Sequence, residues 1–424
     1  MSALKIKLSL FLNYFVFAIL LNSVGTVILQ VQNNFDISKG SASTLEAFKD
    51  LSIAIASFLI ASFVVRIGYK KAMLFALAAV AGMCLIMPSV SSFLMTKLLF
   101  ATVGVSFALI KVSVFATIGL ITKSKKEHLS LMSFLESFFM VGVLAGYFIF
   151  SAFVNNDDPK STGWFSVYYI IAGLSIAAFL LLLSTKMDES AVKKAEITEA
   201  KSLSDDFVGM LRLIILPLVL VFIFCAFFYV LIEQSIMSWL PTFNKDVLKL
   251  STSLSIQMAS IMSASIALGR FLAGVILRKI DWLIFLVACL LAAAALVLVT
   301  VPLTNNVSGT PVNSLSDIPL VAFAFPLIGL FLAPIYPAIN SVILSNLPAH
   351  KHASMSGLIV VFSALGGTTG SIITGHIFET FGGQKAFYFS LIPVAILIIL
   401  LFIFKKIQPD TSGAREEKPT KSSH

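Results

Sequence analysis

The sequence predicts an all-α membrane protein of 12 transmembrane helices, packed as two six-helix bundles. Three observations predict it. Hydrophobic residues make up 58% of the chain and charged residues 12%, about half the charge of an ordinary soluble domain. Apolar runs of about twenty residues, long enough to cross the hydrocarbon core as helices, recur from one end to the other. One long polar stretch interrupts them near the middle, with six runs before it and six after.

In order, the runs lie near 8–32, 43–65, 72–90, 95–121, 130–153 and 164–184, then 213–240, 252–277, 282–302, 318–346, 353–380 and 385–404. Span 1 follows Lys5 and Lys7, but it is too long for a signal peptide and lacks an Ala-x-Ala site, so it is expected to be retained. Basic residues mark one side of the membrane. Arg66, Lys70 and Lys71 follow span 2, Lys123, Lys125 and Lys126 follow span 4, and Lys186, Lys193, Lys194 and Lys201 follow span 6. Arg278 and Lys279 follow span 8, and Lys405 and Lys406 follow span 12. The opposite loops are poorer in Lys and Arg, although Lys39, Lys160, Lys245 and Lys249 fall there. The positive-inside rule makes the basic side cytoplasmic, which predicts a multi-pass protein of the cell inner membrane with both termini in the cytoplasm. Topology thus accounts for the net charge of +9 without a nucleic-acid partner.

These spans divide the chain into an N-terminal six-helix bundle (1–184), a cytoplasmic linker (185–210), a C-terminal six-helix bundle (211–407) and a disordered cytoplasmic tail (408–424). The linker mixes Lys, Glu and Ser, as a solvated segment does, and the tail is polar throughout. Cys84, Cys225 and Cys289 fall inside spans, so no extracellular disulfide framework is expected. Trp164, Trp239 and Trp282 fall at span ends, where interfacial anchoring is expected.

The halves repeat weakly. Placing His128 on His352 also places Ser130 on Ser354, Phe138 on Phe362, Gly142 on Gly366 and Gly146 on Gly370. The same register, within one residue, sets Gly104 over Gly329 and Lys111 over Tyr336. Span 5 therefore corresponds to span 11, and span 4 to span 10. Parallel repeats of this kind place a solute site between the halves, near the bilayer midplane.

Lys111 is the most informative single residue. Residues 99–110 before it and 112–121 after it carry no charge, so water lies roughly 15 Å away along the helix in either direction. An ammonium at that depth needs an anionic partner or a water-filled cavity. The other ionisable residues within spans are Glu46, Lys49 and Asp50 in the outer part of span 2, Glu136 in span 5, Glu233 in span 7 and Arg270 in span 8. Glu46 and Lys49, three residues apart, read first as an interfacial helix pair worth a few tenths of a kcal/mol.

A chain of six plus six spans with a cytoplasmic middle loop resembles the major facilitator superfamily over essentially its whole length. The superfamily's signature between spans 2 and 3 is Gly-x-x-x-Asp-Arg-x-Gly-x-Arg/Lys-Arg/Lys. Here it corresponds to Ala61-Ser-Phe-Val-Val65-Arg66-Ile-Gly68-Tyr-Lys70-Lys71, with the basic and glycine positions kept and Ala61 and Val65 replacing the first Gly and the Asp. Gly269-Arg270-Phe-Leu-Ala-Gly274 in span 8 is also similar to the superfamily. Leu29-Gln-Val-Gln-Asn-Asn-Phe35, Tyr229-Val-Leu-Ile-Glu-Gln234 and Gly269-Arg270-Phe271 resemble its fucose permease (fucose/glucose/galactose:H⁺ symporter) branch. That branch carries acids in spans 1 and 4. The corresponding positions are Gly25 and a residue at or beside Lys111, so both acids are missing here.

The resemblance implies a secondary transporter working by alternating access, with the solute and H⁺ as partners, the lipid bilayer around it, and a monomeric state. Span 4 lines the cavity in this superfamily, which makes Lys111 a candidate for solute binding together with its repeat partner Tyr336. Gln234, Asn22 and Asn340 offer the neutral donors and acceptors that a polyhydroxyl solute needs, and Tyr14 and Tyr229 are further candidates for stacking on a sugar ring. With the branch's acids missing, a proton carrier is expected among Glu136, Glu233, Glu46 and Asp50, with Glu136 first. Arg66, Gly68 and Arg270 are expected to serve gating or structure. If Lys111 is instead half of a structural ion pair, Asp50 is its expected partner.

Gly142-x-x-x-Gly146 resembles the start of the exporter signature Gly-x-x-x-Gly-Pro-x-x-Gly, but Tyr147 stands in the proline's place. This favours uptake, and leaves the two glycines as a close helix contact. No Cys/His cluster, phosphate-binding glycine loop or Ser/His/Asp set occurs in the sequence, so no enzyme activity, metal or cofactor is expected. The leading expectation is proton-coupled uptake of a sugar or sugar derivative. Next is an organic anion (sugar acid, organic acid or anionic siderophore) held by Lys111, then drug or metabolite efflux, and last a membrane enzyme or sensor.

Overall fold

The computed structural model describes residues 2–122, 125–187, 189, 211–277, 279–307, 310–347 and 352–408. Most of the linker and the tail beyond residue 408 lie outside the described residues, as do Lys123, Arg278 and the side chain of Arg66. The rest is helix joined by short loops. In hydrocarbon every backbone N–H and C=O must be satisfied internally, and a helix does this within one segment. Among the described residues, eleven spans are long and apolar enough to cross a membrane. The twelfth is span 2, Thr44–Ile67, which carries Glu46, Lys49 and Asp50 in its first two turns.

Span 1 is two helices, Ser2–Asn22 and Val24–Phe35, separated at Ser23, whose hydroxyl donates to Leu20 O at 2.8 Å. Spans 3 to 6 are Tyr69–Ile86, Phe93–Ile121, Lys125–Ala152 and Val167–Leu183. Span 4 starts on a capping serine, with Ser92 Oγ accepting from Met95 N at 3.1 Å. Span 7 is Pro217–Met237 continued by Leu240–Asp246, and spans 8 and 9 are Thr252–Ile276 and Trp282–Leu303. Span 10 is broken into short helices ending in Ile335–Ser345, its run interrupted by Pro326 and Pro334, which cannot donate a backbone hydrogen bond. Span 11 is His352–Phe381, and span 12 is Gly383–Phe389 and Leu391–Ile407.

The start of span 1, the end of span 12 and the start of the linker lie at one end of the bundle. Lys7 Nζ is 3.2 Å from Glu127, and Lys405 Nζ is 3.4 Å from Asp281. Lys70 donates its Nζ to Leu183 O at 3.0 Å and its backbone N–H to Glu189 Oε1 at 2.8 Å. The turn that presents Lys70 runs through Gly68 at φ 96°, a left-handed conformation that side chains with a Cβ resist. The signature loop thus holds the first residues of the linker.

The weak sequence repeat reappears as a packing repeat. A Cβ on Gly142 of span 5 would meet Phe15 O of span 1 at 2.8 Å, and one on Gly366 of span 11 would meet Phe227 O of span 7 at 2.3 Å. A Cβ on Gly104 of span 4 would meet Lys49 O of span 2 at 2.5 Å, and one on Gly329 of span 10 would meet Met262 O of span 8 at 2.6 Å. Each half therefore uses equivalent glycines to bring equivalent helix pairs into backbone contact, the small-residue packing that membrane helices favour.

A candidate solute pathway between the halves

The two halves meet at the end opposite the termini, here called the far end. Lys39 of the loop before span 2 is 3.0 Å from Asp246, and Lys245 Nζ donates to Asn33 Oδ1. Asn156 Nδ2 donates to Ser253 Oγ at 2.9 Å, and its Oδ1 accepts from Ser253 N at 3.0 Å. Gln257 Nε2 donates to Ser151 Oγ at 3.2 Å, and Gly40 N to Glu379 Oε2 at 2.8 Å. Deeper in, Ser238 Oγ donates to Glu46 Oε2 at 2.8 Å. These contacts close the far end.

Toward the termini end the inward faces of the helices are open. On span 4 the exposed apolar stripe runs through Leu94, Leu98 and Val105. Lys111 lies about a third of a turn round from that stripe at 100° per residue, and its side chain is nevertheless exposed. On span 5 the stripe is Phe134, Phe138 and Val141, and Glu136 is exposed on the opposite face. Span 8 repeats the pattern, with Leu268, Phe271 and Val275 facing outward and Arg270 exposed on an inward face. On the same faces, two to three turns further toward the far end, Tyr147 and Ser263 are buried. Lys111, Glu136 and Arg270 are thus exposed on faces turned away from the apolar stripes, while the far end is held by the contacts between the halves.

Lys111 stands over the Phe107 ring, 5.9 Å from its centroid, and Glu136 is within electrostatic range of both Lys111 and Tyr14. Among the described residues neither Lys111 nor Arg270 has a carboxylate within the 4.0 Å of an ion pair. The expected alternative pairing of Lys111 with Asp50 is corrected: Asp50 pairs with Lys49, 3.4 Å away. Tyr14 is also corrected as a stacking platform, because it is buried against Phe107, Phe115 and Phe139.

In the second half, Tyr336 stacks on Tyr229 with ring centroids 5.4 Å apart. Its hydroxyl is 2.9 Å from Ser363 Oγ and lies beside Asn340. Tyr229 is buried and donates to Glu233 Oε1 at 2.8 Å, so it supports Tyr336 rather than presenting a free face. Arg270 acts electrostatically on both tyrosines. Gln234 Oε1 lies 3.1 Å from Ser238 Oγ, whereas Asn22 donates back to Ala18 O in its own helix at 3.0 Å. The structure therefore brings Tyr336, Asn340, Glu233 and Arg270 together in one half, and Lys111 with Glu136 in the other. Ser363 was not legible as part of this group; it is a serine one residue past Phe362, with no charge or spacing to single it out.

Span 2 holds the largest departure from expectation. Glu46 and Lys49 are not an interfacial pair: their side chains are 0% and 6% exposed, and Asp50 is 12% exposed. Lys49 Nζ bridges the two carboxylates, bonding Glu46 Oε1 and approaching Asp50 Oδ1. Asp50 Oδ2 lies against Gly367 of span 11, where an added Cβ would come within 2.6 Å of it. Trp164 and Trp239 also differ from expectation, being buried rather than lipid-facing. Trp164 donates to Asn34 Oδ1, and Trp239 donates to Ser371 O at 3.1 Å while stacking on Phe378.

The profile of the Major Facilitator Superfamily matches residues 10–367 and, in a second overlapping match, 307–423. The chain belongs to this family, whose members are transporters and not enzymes. Among solved structures it is similar to a bacterial homologue of the human lysosomal transporter Spinster, in an inward-facing and occupied conformation, at 14% identity over 95% of this chain and 96% of that one (TM-score 0.71). It is similar to the D-xylose-proton symporter at 13% identity, covering 97% and 99% of the two chains (TM-score 0.70). It is also similar to FucP in the outward conformation at 15% identity, covering 97% and 100% (TM-score 0.60). At these identities the likeness shows a shared fold. No curated protein matches the sequence.

Proposed function

We propose that the protein takes up a carboxylate-bearing solute, such as a sugar acid or organic acid, by alternating access with proton coupling. One observation carries this reading: Lys111 and Arg270, one from each half, are exposed on inward faces and free of ion pairs among the described residues. A cation within the membrane span that has no carboxylate of its own is matched in charge by an anionic solute. This moves the organic anion ahead of a neutral sugar, while Tyr336, Asn340 and Ser363 keep the hydroxyl-binding capacity that a sugar acid needs. The termini end is the cytoplasmic side by the positive-inside rule, so the arrangement described is open to the cytoplasm. Uptake is supported by Tyr147 in the place of the exporter proline.

The test is uptake of labelled sugar acids, simple organic acids and neutral sugars into cells expressing the Lys111→Ala variant. A charge-assisted contact contributes about 1.5–3 kcal/mol, so carboxylate transport is expected to fall tenfold or more with expression unchanged. Lys111→Arg is expected to restore only part of it, because the planar fork of Arg differs from a compact ammonium. Normal carboxylate transport by a well-expressed Lys111→Ala protein returns the neutral sugar to first place.

A further inference from the structure

We propose that the far end opens along one edge only: spans 5 and 8 part there to form the entrance for solute, while spans 2 and 11 stay in contact as the hinge. This holds whichever solute is carried.

The internal repeat sets span 5 over span 11, and with it span 2 over span 8. The seam between spans 5 and 8 is therefore the equivalent of the seam between spans 11 and 2. The two lie on opposite sides of the pseudo-two-fold axis between the halves. They are built differently.

The first seam is a polar zipper, in which antiparallel helices touch through side chains. Asn156, just past span 5, exchanges two bonds with Ser253 at 2.9 and 3.0 Å. Ser151 accepts from Gln257 at 3.2 Å, and Tyr147 lies beside Ser263 one level deeper. Gly142, Gly146 and Gly269 are turned away from this seam, the first two toward span 1 and the third toward span 10. The groups in the zipper are amides, hydroxyls and one backbone N–H, for which water is a ready substitute when the helices part.

The second seam touches through backbone. Gly367, Gly375 and Gly40 follow one another along it toward the outside. A Cβ on Gly367 would lie 2.6 Å from Asp50 Oδ2, and one on Gly375 would lie 2.9 Å from Ser43 Cβ and 3.0 Å from Lys39 O. Gly40 packs on the His376 ring, and its N–H donates to Glu379 Oε2 at 2.8 Å. Lys39 adds its ion pair with Asp246 at 3.0 Å and stands 5.5 Å from the centroid of the Phe378 ring. Apposition this close is held by dispersion, which water restores only in part when the surfaces separate. It also needs no change of rotamer when one helix turns slightly on the other, which suits a hinge.

Parting spans 5 and 8 leads to the candidate site. Tyr147 is eleven residues from Glu136, and Ser263 is seven from Arg270. These separations are about three and two helical turns, so each pair shares a helix face. A solute bearing hydroxyls and a carboxylate meets amides and hydroxyls first on this route, and the Arg270 guanidinium last. The groove lined by Phe153, Asn155, Asp157 and Asn313 marks its mouth.

The test needs no solute and uses full-length protein with Cys84, Cys225 and Cys289 replaced. Spin labels on Asp157→Cys and Asn313→Cys report the first edge across that groove. Labels on Ser41→Cys and Thr380→Cys, which line a second groove beside spans 2 and 11, report the other. In proteoliposomes the first pair is expected to show a closed and a longer distance, and the second pair a single distance. Gln257→Ala removes one bond of the zipper and is expected to raise the longer population about two- to tenfold, with the second pair unmoved. Lengthening of both pairs together, or a first pair that Gln257→Ala leaves unchanged, overturns the proposal. Should a labelled protein fail to reach the membrane, the near-isosteric Ser151→Cys and Ser43→Cys are compared in cells with a membrane-impermeant thiol reagent. Both serines are buried in the closed far end. Ser151→Cys is expected to react about tenfold faster than Ser43→Cys, or more; equal rates are equally fatal.

Discussion

Replacing Gly366 by alanine is expected to loosen the second half. The added Cβ would lie 2.3 Å from Phe227 O, about 1 Å inside ordinary contact, and the obstacle is backbone that cannot rotate away. Spans 7 and 11 must therefore separate, an overpacking cost of about 1–3 kcal/mol. Alanine returns about 1 kcal/mol through helix propensity, leaving a net loss of up to about 2 kcal/mol. Gly274 in span 8 is the control, since a Cβ there meets nothing within 4 Å, and alanine is expected to stabilise it by up to about 1 kcal/mol. Gly142, whose Cβ would meet Phe15 O at 2.8 Å, falls between the two. At roughly 2–4 °C per kcal/mol for a unit the size of one half, thermal unfolding in detergent, followed by tryptophan fluorescence, separates Gly366→Ala from Gly274→Ala by several degrees. If Gly366→Ala melts at or above Gly274→Ala, backbone contact through these glycines does not hold the half together.

Two further outcomes test the topology and the gate. A reporter fused after Ser204 is expected in the cytoplasm and one fused after Asp157 on the external side; finding both on one side removes the six-plus-six arrangement. Asn156→Cys paired with Ser253→Cys, which replaces the reciprocal bonds at 2.9 and 3.0 Å, is expected to cross-link under oxidation and stop turnover until a reductant is added. Full transport by the cross-linked protein would show that the far end need not open.

The spans and their repeat were legible because both are written locally. Apolar length marks a crossing helix whatever surrounds it, and glycines aligned in sequence, Gly142 with Gly366 and Gly104 with Gly329, do the same packing in the two halves. Lys111 was legible as a candidate because no other charge is near it in sequence. Span 2 was misread for the opposite reason. The spacing of Glu46 and Lys49 says that they share a helix face, not what covers that face. The cover is Ser238, 192 residues away from Glu46, together with Gly367 of span 11, and only the fold brings them there. Trp239 was misplaced similarly: its position at a helix end is local, but its partners Ser371 and Phe378 are not.

The contacts that shut the far end are mostly small and polar, and every group in them finds water when they part. Each such bond is worth about 0.5–1.5 kcal/mol net, so no single one sets the balance between the two orientations of the carrier. A latch built from many replaceable bonds gives a shallow basin rather than a trap, and a shallow basin lets a carrier turn over quickly. It also lets evolution adjust the resting orientation in steps of about two- to tenfold, one amide or hydroxyl at a time, without touching the residues that choose the cargo.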